Sequence, residues 1–174
     1  MRPAQKSSCI LRPDPPTCVK ALFVGESPPA SGRNFYAADS GLYRSIHEAF
    51  AAADPRFRDG DFLTTFHGAG CYLVDLCAEP VDHLPAKDRS LVCRASEPRL
   101  AGAVRHLRPA SIVTVVRSIE PNVARALALA CWSGPVISLP YPGRWSAHRK
   151  AFVSSLRAAL PALLVALRKE ARSL

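Results

Sequence analysis

Two carboxylates in this 174-residue chain stand at the ends of apolar runs. Glu26 follows Ala21-Leu22-Phe23-Val24-Gly25, and Asp75 lies within Gly70-Cys71-Tyr72-Leu73-Val74-Asp75-Leu76-Cys77. A carboxylate in such a place can orient water and stabilise positive charge that develops on a reacting group. Glu26 also opens Glu26-Ser27-Pro28-Pro29, and loop-like residues continue as far as Asp39. A plain strand-to-helix turn needs only about 2–6 residues, and a long Gly/Pro/Ser connection at a strand end is where α/β proteins usually keep a site. A second long loop, Pro140-Tyr141-Pro142-Gly143-Arg144-Trp145-Ser146-Ala147-His148, combines aromatic and basic side chains. The cysteines (Cys9, Cys18, Cys71, Cys77, Cys93, Cys131) include no C-x-x-C pair, which argues against a zinc ribbon. Neither G-x-G-x-x-G nor G-x-x-x-x-G-K-[ST] occurs, which weakens a phosphate-cradling nucleotide enzyme.

The elements that must position these residues follow from hydrophobic periodicity. Residues 20–24 and 70–77 read as buried strands, and 111–116 (Ser-Ile-Val-Thr-Val-Val) is the most β-branched run, hence a central strand. A fourth strand falls at 135–139. Leu42, Ile46, Ala49 and Phe50 share one face of a helix over 40–53, capped by Asp39 or Ser40. Residues 54–61 are turn chemistry, 62–66 (Phe-Leu-Thr-Thr-Phe) reads as a short extended piece, and 78–90 is a proline-bearing loop. Helical spacing then covers 91–107 and 120–131. A closing amphipathic helix carries Leu156, Leu160, Leu163, Leu164 and Leu167 on one stripe, with Pro161 predicted to kink or restart it. Strand–helix alternation of this kind predicts a three-layer α/β/α domain with a four-stranded parallel central sheet over 19–174, preceded by a polar, proline-rich arm at 1–18. In such a sheet the ligand sits outside the carboxyl ends of the strands. Residues 25–35, 75–79 and 140–148 are therefore the candidates.

Composition narrows the partners. With 48% hydrophobic and 21% charged residues the chain is ordinary globular protein. The longest apolar run, 158–167, contains Pro161 and is far short of the ~20 residues of a membrane span. The start, Met1-Arg2-Pro3-Ala4-Gln5-Lys6, lacks a signal peptide's apolar stretch, so a soluble, cytoplasmic protein is expected, most simply a monomer. In that compartment a disulfide framework is not expected. A formal charge of +9 favours a polyanionic partner such as nucleic acid, although arginines spread along the chain fit surface composition equally.

From Ala21 to about Arg157 the chain resembles the uracil-DNA glycosylase superfamily. It is most similar to the iron–sulfur branch, whose motifs G-E-A-P-G, G-x-P-F and A-G-x-L-L read here as Gly25-Glu26-Ser27-Pro28-Pro29, Gly32-Arg33-Asn34-Phe35 and Asp39-Ser40-Gly41-Leu42-Tyr43. Asp75 falls in the column of that branch's base-recognising residue, usually Asn, and 108–116 resembles its P-x-x-I-V-x-L-G strand, with Val116-Arg117 in place of Leu-Gly. The resemblance implies a DNA base-excision glycosylase that hydrolyses the N-glycosidic bond of uracil or a related deaminated base. It further implies DNA carrying that base as the partner.

On that resemblance Glu26 is the leading catalytic residue, a carboxylate beneath a sugar that gains oxocarbenium-like charge. Gly25, Ser27, Phe35 and Asp75 form the base-binding set, with the Phe35 ring folded back by the long loop to stack on a flipped base. Asp75 has three open readings: an acceptor for a base N–H, the general base itself, or a buried loop cap. Tyr141, Gly143, Arg144, Trp145 and His148 form the DNA-binding set, Arg144 by phosphate or minor-groove contact and Trp145 as a wedge or as core packing. Leu139 stands where many relatives carry a histidine that donates to the base oxygen; Tyr141, Arg144 or His148 are the alternative donors, His148 being equally a first-turn helix residue. That departure leaves a non-catalytic nucleobase- or nucleic-acid-binding member as the alternative. The branch's cluster needs four cysteines. Cys93 resembles its last ligand and Cys77 the preceding one, but Cys9 and Cys18 do not form the expected pair, so no cofactor or metal is expected.

Overall fold

The computed structural model describes residues 12–143 and 145–169, with side chains to residue 163. Its centre is a four-stranded, all-parallel sheet of β1 (Ala21–Gly25), β2 (Cys71–Asp75), β3 (Ser111–Thr114) and β4 (Val136–Ser138), in the order β2-β1-β3-β4. β1 and β3 are inside the sheet and every one of their residues is buried, which is why both read as unbroken apolar runs. Alternate side chains go to opposite faces. Phe23 and Val113 face α1 (Gly41–Ala53), α2 (Phe62–Gly68) and α6 (Ser146–Lys169), where Phe50, Phe66 and Phe152 wait for them. Leu22 and Ile112 face α4 (Glu97–Leu107) and α5 (Glu120–Leu129), against Leu100, Val104 and Val123. The three-layer α/β/α expectation holds.

Glu97 locks the second layer. It is buried and accepts hydrogen bonds from Arg125 and Asn122 of α5, and the Arg125 guanidinium holds its carboxyl below the usual range.

Several local expectations are corrected. Residues 62–66 are helical, not extended: Asp61 caps the helix by accepting from the Leu63 N–H at 3.0 Å and the Thr64 hydroxyl at 2.6 Å, which places Phe62 and Phe66 together in the core. The helix expected over 91–107 is two, α3 (Ala86–Ala95) and α4, broken at Ser96 because Pro98 cannot continue a helix from the preceding turn. α6 continues through Pro161 without a restart; the ring lies on the exposed side, clear of buried Leu156, Leu160 and Leu163. Leu164 and Leu167 lie outside the described side chains.

The edge strand β2 is covered. Leu73 turns its peptide groups away from β1, and the Tyr36 hydroxyl donates to the Leu73 carbonyl at 3.1 Å while accepting from its N–H at 2.8 Å. The described part of the arm, 12–18, follows the same strand: Tyr72 donates to the Pro13 carbonyl at 2.7 Å and the His67 ring meets the Asp14 carbonyl at 3.0 Å. A sheet edge with its hydrogen bonds already used does not recruit a stray strand. Among the described residues no helix is long and apolar enough to cross a membrane.

Tyr36→Phe removes one hydroxyl and leaves two backbone groups of β2 without partners. We expect it to lower the unfolding free energy by about 1–3 kcal/mol, measured by urea denaturation, with faster amide exchange at Leu73.

Candidate functional site

A cavity of about 550 Å³ opens at the carboxyl ends of β1 and β2. It is walled by the loop after β1, the first residues of α1, Asp75, Val115 and Val116 after β3, and Tyr141 after β4. Its place follows from strand order. The chain leaves β1 for the edge strand β2, then crosses back past β1 to β3, and the connections diverge above the β1/β3 pair.

The long loop after β1 is built, not slack. The Asp82 carboxylate accepts from the Ala30 N–H at 3.2 and 3.3 Å, and Ser27 Oγ accepts from the Val81 N–H at 3.3 Å, joining the two loops behind the strand ends. Asn34 N–H donates to Asp39 at 2.7 Å, and Asn34 in turn accepts from the Tyr36 N–H at 2.7 Å. These bonds fold Phe35 back over the strand end. Its ring is buried against Tyr36, Tyr43 and Phe66 at centroid distances of 5.1, 5.9 and 5.4 Å, and it also lines the cavity.

The two carboxylates differ sharply. Parallel pairing sets Gly25 beside Asp75, and a Cβ at position 25 would stand 2.4 Å from Asp75 Oδ1; only glycine leaves room for that carboxyl group. Asp75 faces the Arg12 guanidinium at 3.6 Å, and Arg99 holds its backbone carbonyl. Burial pushes its pKa up to about 6, against the opposing pull of Arg12 and Arg99. Both oxygens of Glu26, by contrast, are taken by Arg89, with Nε at 2.8 Å from Oε1 and Nη2 on Oε2. A carboxylate so paired has both oxygens occupied and little net charge to offer a reacting group, whereas Asp75 can exchange a proton near neutral pH.

The remaining candidates lie further out. Tyr141 is 61% exposed at the cavity mouth. Gly143, Trp145 and His148 are exposed beyond it and do not line it; Trp145, 73% exposed, is not core packing. Gly143 has φ +56° and sits tightly over His148, where a Cβ would meet Nδ1 at 2.9 Å. Arg144 lies outside the described residues. Leu139 is buried in the core, its N–H on the Thr114 carbonyl at 2.8 Å, so that position sends nothing toward the cavity.

Among the described residues the candidate cluster cysteines are not brought together as a set. Cys77 and Cys93 are buried 3.7 Å apart behind Glu26, and burial pushes the Cys93 thiol up to about 12. Cys18 is at the other end of the sheet, beside Gly70, and β2 alone separates the two ends by roughly 17 Å at about 3.3 Å per residue. Cys9 lies outside the described residues, and no group of three or more His, Cys, Asp or Glu among the described ones is placed to hold a metal ion. Cys71 is core, while Cys131 is exposed.

Sequence reading missed Arg12 and Arg89. Neither belongs to a motif, and Arg89 is 63 residues from the glutamate it holds.

The Asp75 shift has a stability consequence. Because its pKa is raised in the folded state, the native protein holds the proton more tightly, and its contribution to stability falls as pH rises from about 4 to about 6. Asp75→Asn removes that loss. The variant should match wild type near pH 4 and exceed it by up to about 3 kcal/mol at pH 8, read from denaturation curves across that range. A constant difference at every pH would place the carboxyl group in solvent.

Comparison with known proteins found no family model that matches the chain and no similar curated protein.

Proposed function

We propose that this protein is a DNA base-excision glycosylase that hydrolyses the N-glycosidic bond of uracil or a related deaminated base, acting as a monomer on DNA. The observation that carries the reading is Asp75: a nearly buried carboxyl group, titrating near pH 6, in the wall of a cavity of about 550 Å³ at the strand ends. A cavity of that volume takes a nucleoside-sized group. Phe35 gives it an aromatic wall for a base flipped out of the stack.

In this reading Asp75 is the general base. It accepts a proton from a water molecule as that water attacks the anomeric carbon, and the base departs with the bonding electron pair and is protonated by solvent. Positive charge that grows on the sugar is stabilised by the same carboxylate. Glu26, neutralised by Arg89, is a positioning residue rather than the catalytic carboxylate.

A second reading has its own support. With Leu139 turned into the core, that position after β4 offers no donor to a departing base, as expected of a protein that binds a nucleobase or strand without cleaving it.

Incubation with oligonucleotides carrying uracil, hypoxanthine or xanthine should produce abasic sites in at least one. Binding without cleavage on all three selects the second reading. For a cleaved substrate, kcat/KM should rise with pH through about 6, as Asp75 loses its proton. Asp75→Asn should lower kcat about 10²-fold or more, and Glu26→Gln considerably less. The reverse order would return the catalytic role to Glu26.

A further inference from the structure

We propose that Arg89 is a substrate-binding residue: the edge of its guanidinium that Glu26 leaves free takes a phosphodiester oxygen of the strand entering the cavity. The assignment rests on the nucleic-acid reading given above. A guanidinium carries five N–H donors in one plane. Glu26 engages Nε and Nη2, and among the described residues Nη1 makes no hydrogen bond. The Arg89 side chain is 38% exposed where that of Glu26 is 14% exposed, and both line the cavity. One edge of the guanidinium is thus held in the wall and the other is wet.

That division suits a phosphate. The planar fork matches two oxygens of one phosphate, and a fork already fixed by a carboxylate loses little freedom on binding. The mount is otherwise sparse, since Cys93 is the one buried residue of α3. The pair is therefore a principal tie between this helix and the end of β1. The charge is also needed. A strand approaching this cavity passes Glu26, Asp75 and Asp82; Arg12 already faces Asp75, and exposed Arg33 is the other lining cation it meets beside Arg89.

The test is fluorescence anisotropy of a labelled single-stranded, uracil-containing oligonucleotide on the full-length protein at several salt concentrations. Arg89→Gln should weaken binding about tenfold or more, and the slope of log affinity on log salt should shrink by about 0.7, the value for one phosphate on a single strand. Arg89→Lys, which keeps the charge, should retain the full slope and part of the affinity. Binding of 2′-deoxyuridine, which has no phosphate, should stay within about twofold of wild type in Arg89→Gln. The double variant Glu26→Gln/Arg89→Gln leaves no buried charge without its partner, so it controls for misfolding. It should keep both the weak affinity and the reduced slope. Recovery of wild-type affinity and slope in the double variant would overturn the assignment, showing that Arg89 serves Glu26 alone. So would loss of deoxyuridine binding in step with oligonucleotide binding. If wild type binds the oligonucleotide and Arg89→Gln matches it, the assignment alone fails. If wild type binds no oligonucleotide, the nucleic-acid reading fails and takes the assignment with it.

Discussion

The contact of Gly25 with Asp75 governs the site. Parallel pairing of β1 with β2 puts these two residues side by side at the last rung of the ladder. At that spacing a side chain on residue 25 would occupy the place of an Asp75 oxygen. The missing side chain gives the carboxyl group a position between two strand ends, mostly out of water, where ionisation is penalised. One backbone register thus decides where the group stands and also how readily it gives up its proton.

The arginines then divide the work between the two carboxylates. Arg89 meets Glu26 side-on and uses both its oxygens, which anchors α3 to the end of β1 and leaves neither oxygen turned freely to the cavity. Arg12 approaches Asp75 only to 3.6 Å, close enough to moderate the effect of burial without satisfying the carboxylate. Two acids a strand apart thereby acquire different chemistry from their neighbours, not from their own identity. The loops that carry these groups are themselves cross-linked, through Asp82 on the Ala30 N–H and Ser27 on the Val81 N–H. The two loops are therefore tied to each other on the side where the carboxylates stand.

The edge of the sheet is integrated with the same region. Tyr36 closes the free hydrogen bonds of β2 from the far end of the loop that begins with Glu26. Burial raises its phenol well above the usual value, which keeps it neutral and able both to donate and to accept. Loop conformation, sheet edge and cavity wall are consequently one mechanical unit, in which Phe35, the neighbouring residue, is held against the aromatic core.

How far the sequence alone reached can be judged from particular residues. Strands buried on both faces must be apolar throughout, so β1 and β3 were legible as runs, and with them the parallel sheet and the strand ends where Glu26 and Asp75 stand. Glycine and proline after β1 likewise announced a long, specific loop. The Phe-Leu-Thr-Thr-Phe stretch was not legible, because a five-residue pattern fits either period and the Asp61 cap decides between them. Nor was the inward turn of Leu139, since a strand-end residue can face core or cavity with the same neighbours in sequence. Least visible of all were the charge partners. Apolar periodicity records which face of an element is buried, but the partner of a carboxylate is whichever side chain packing brings to it. Here that is Arg89 from a helix 63 residues away for Glu26, and Arg12 from the arm for Asp75. Residue types at strand ends determined that this protein has a polar site; tertiary packing alone decided which of its two carboxylates is bound at both oxygens by an arginine and which is only approached by one.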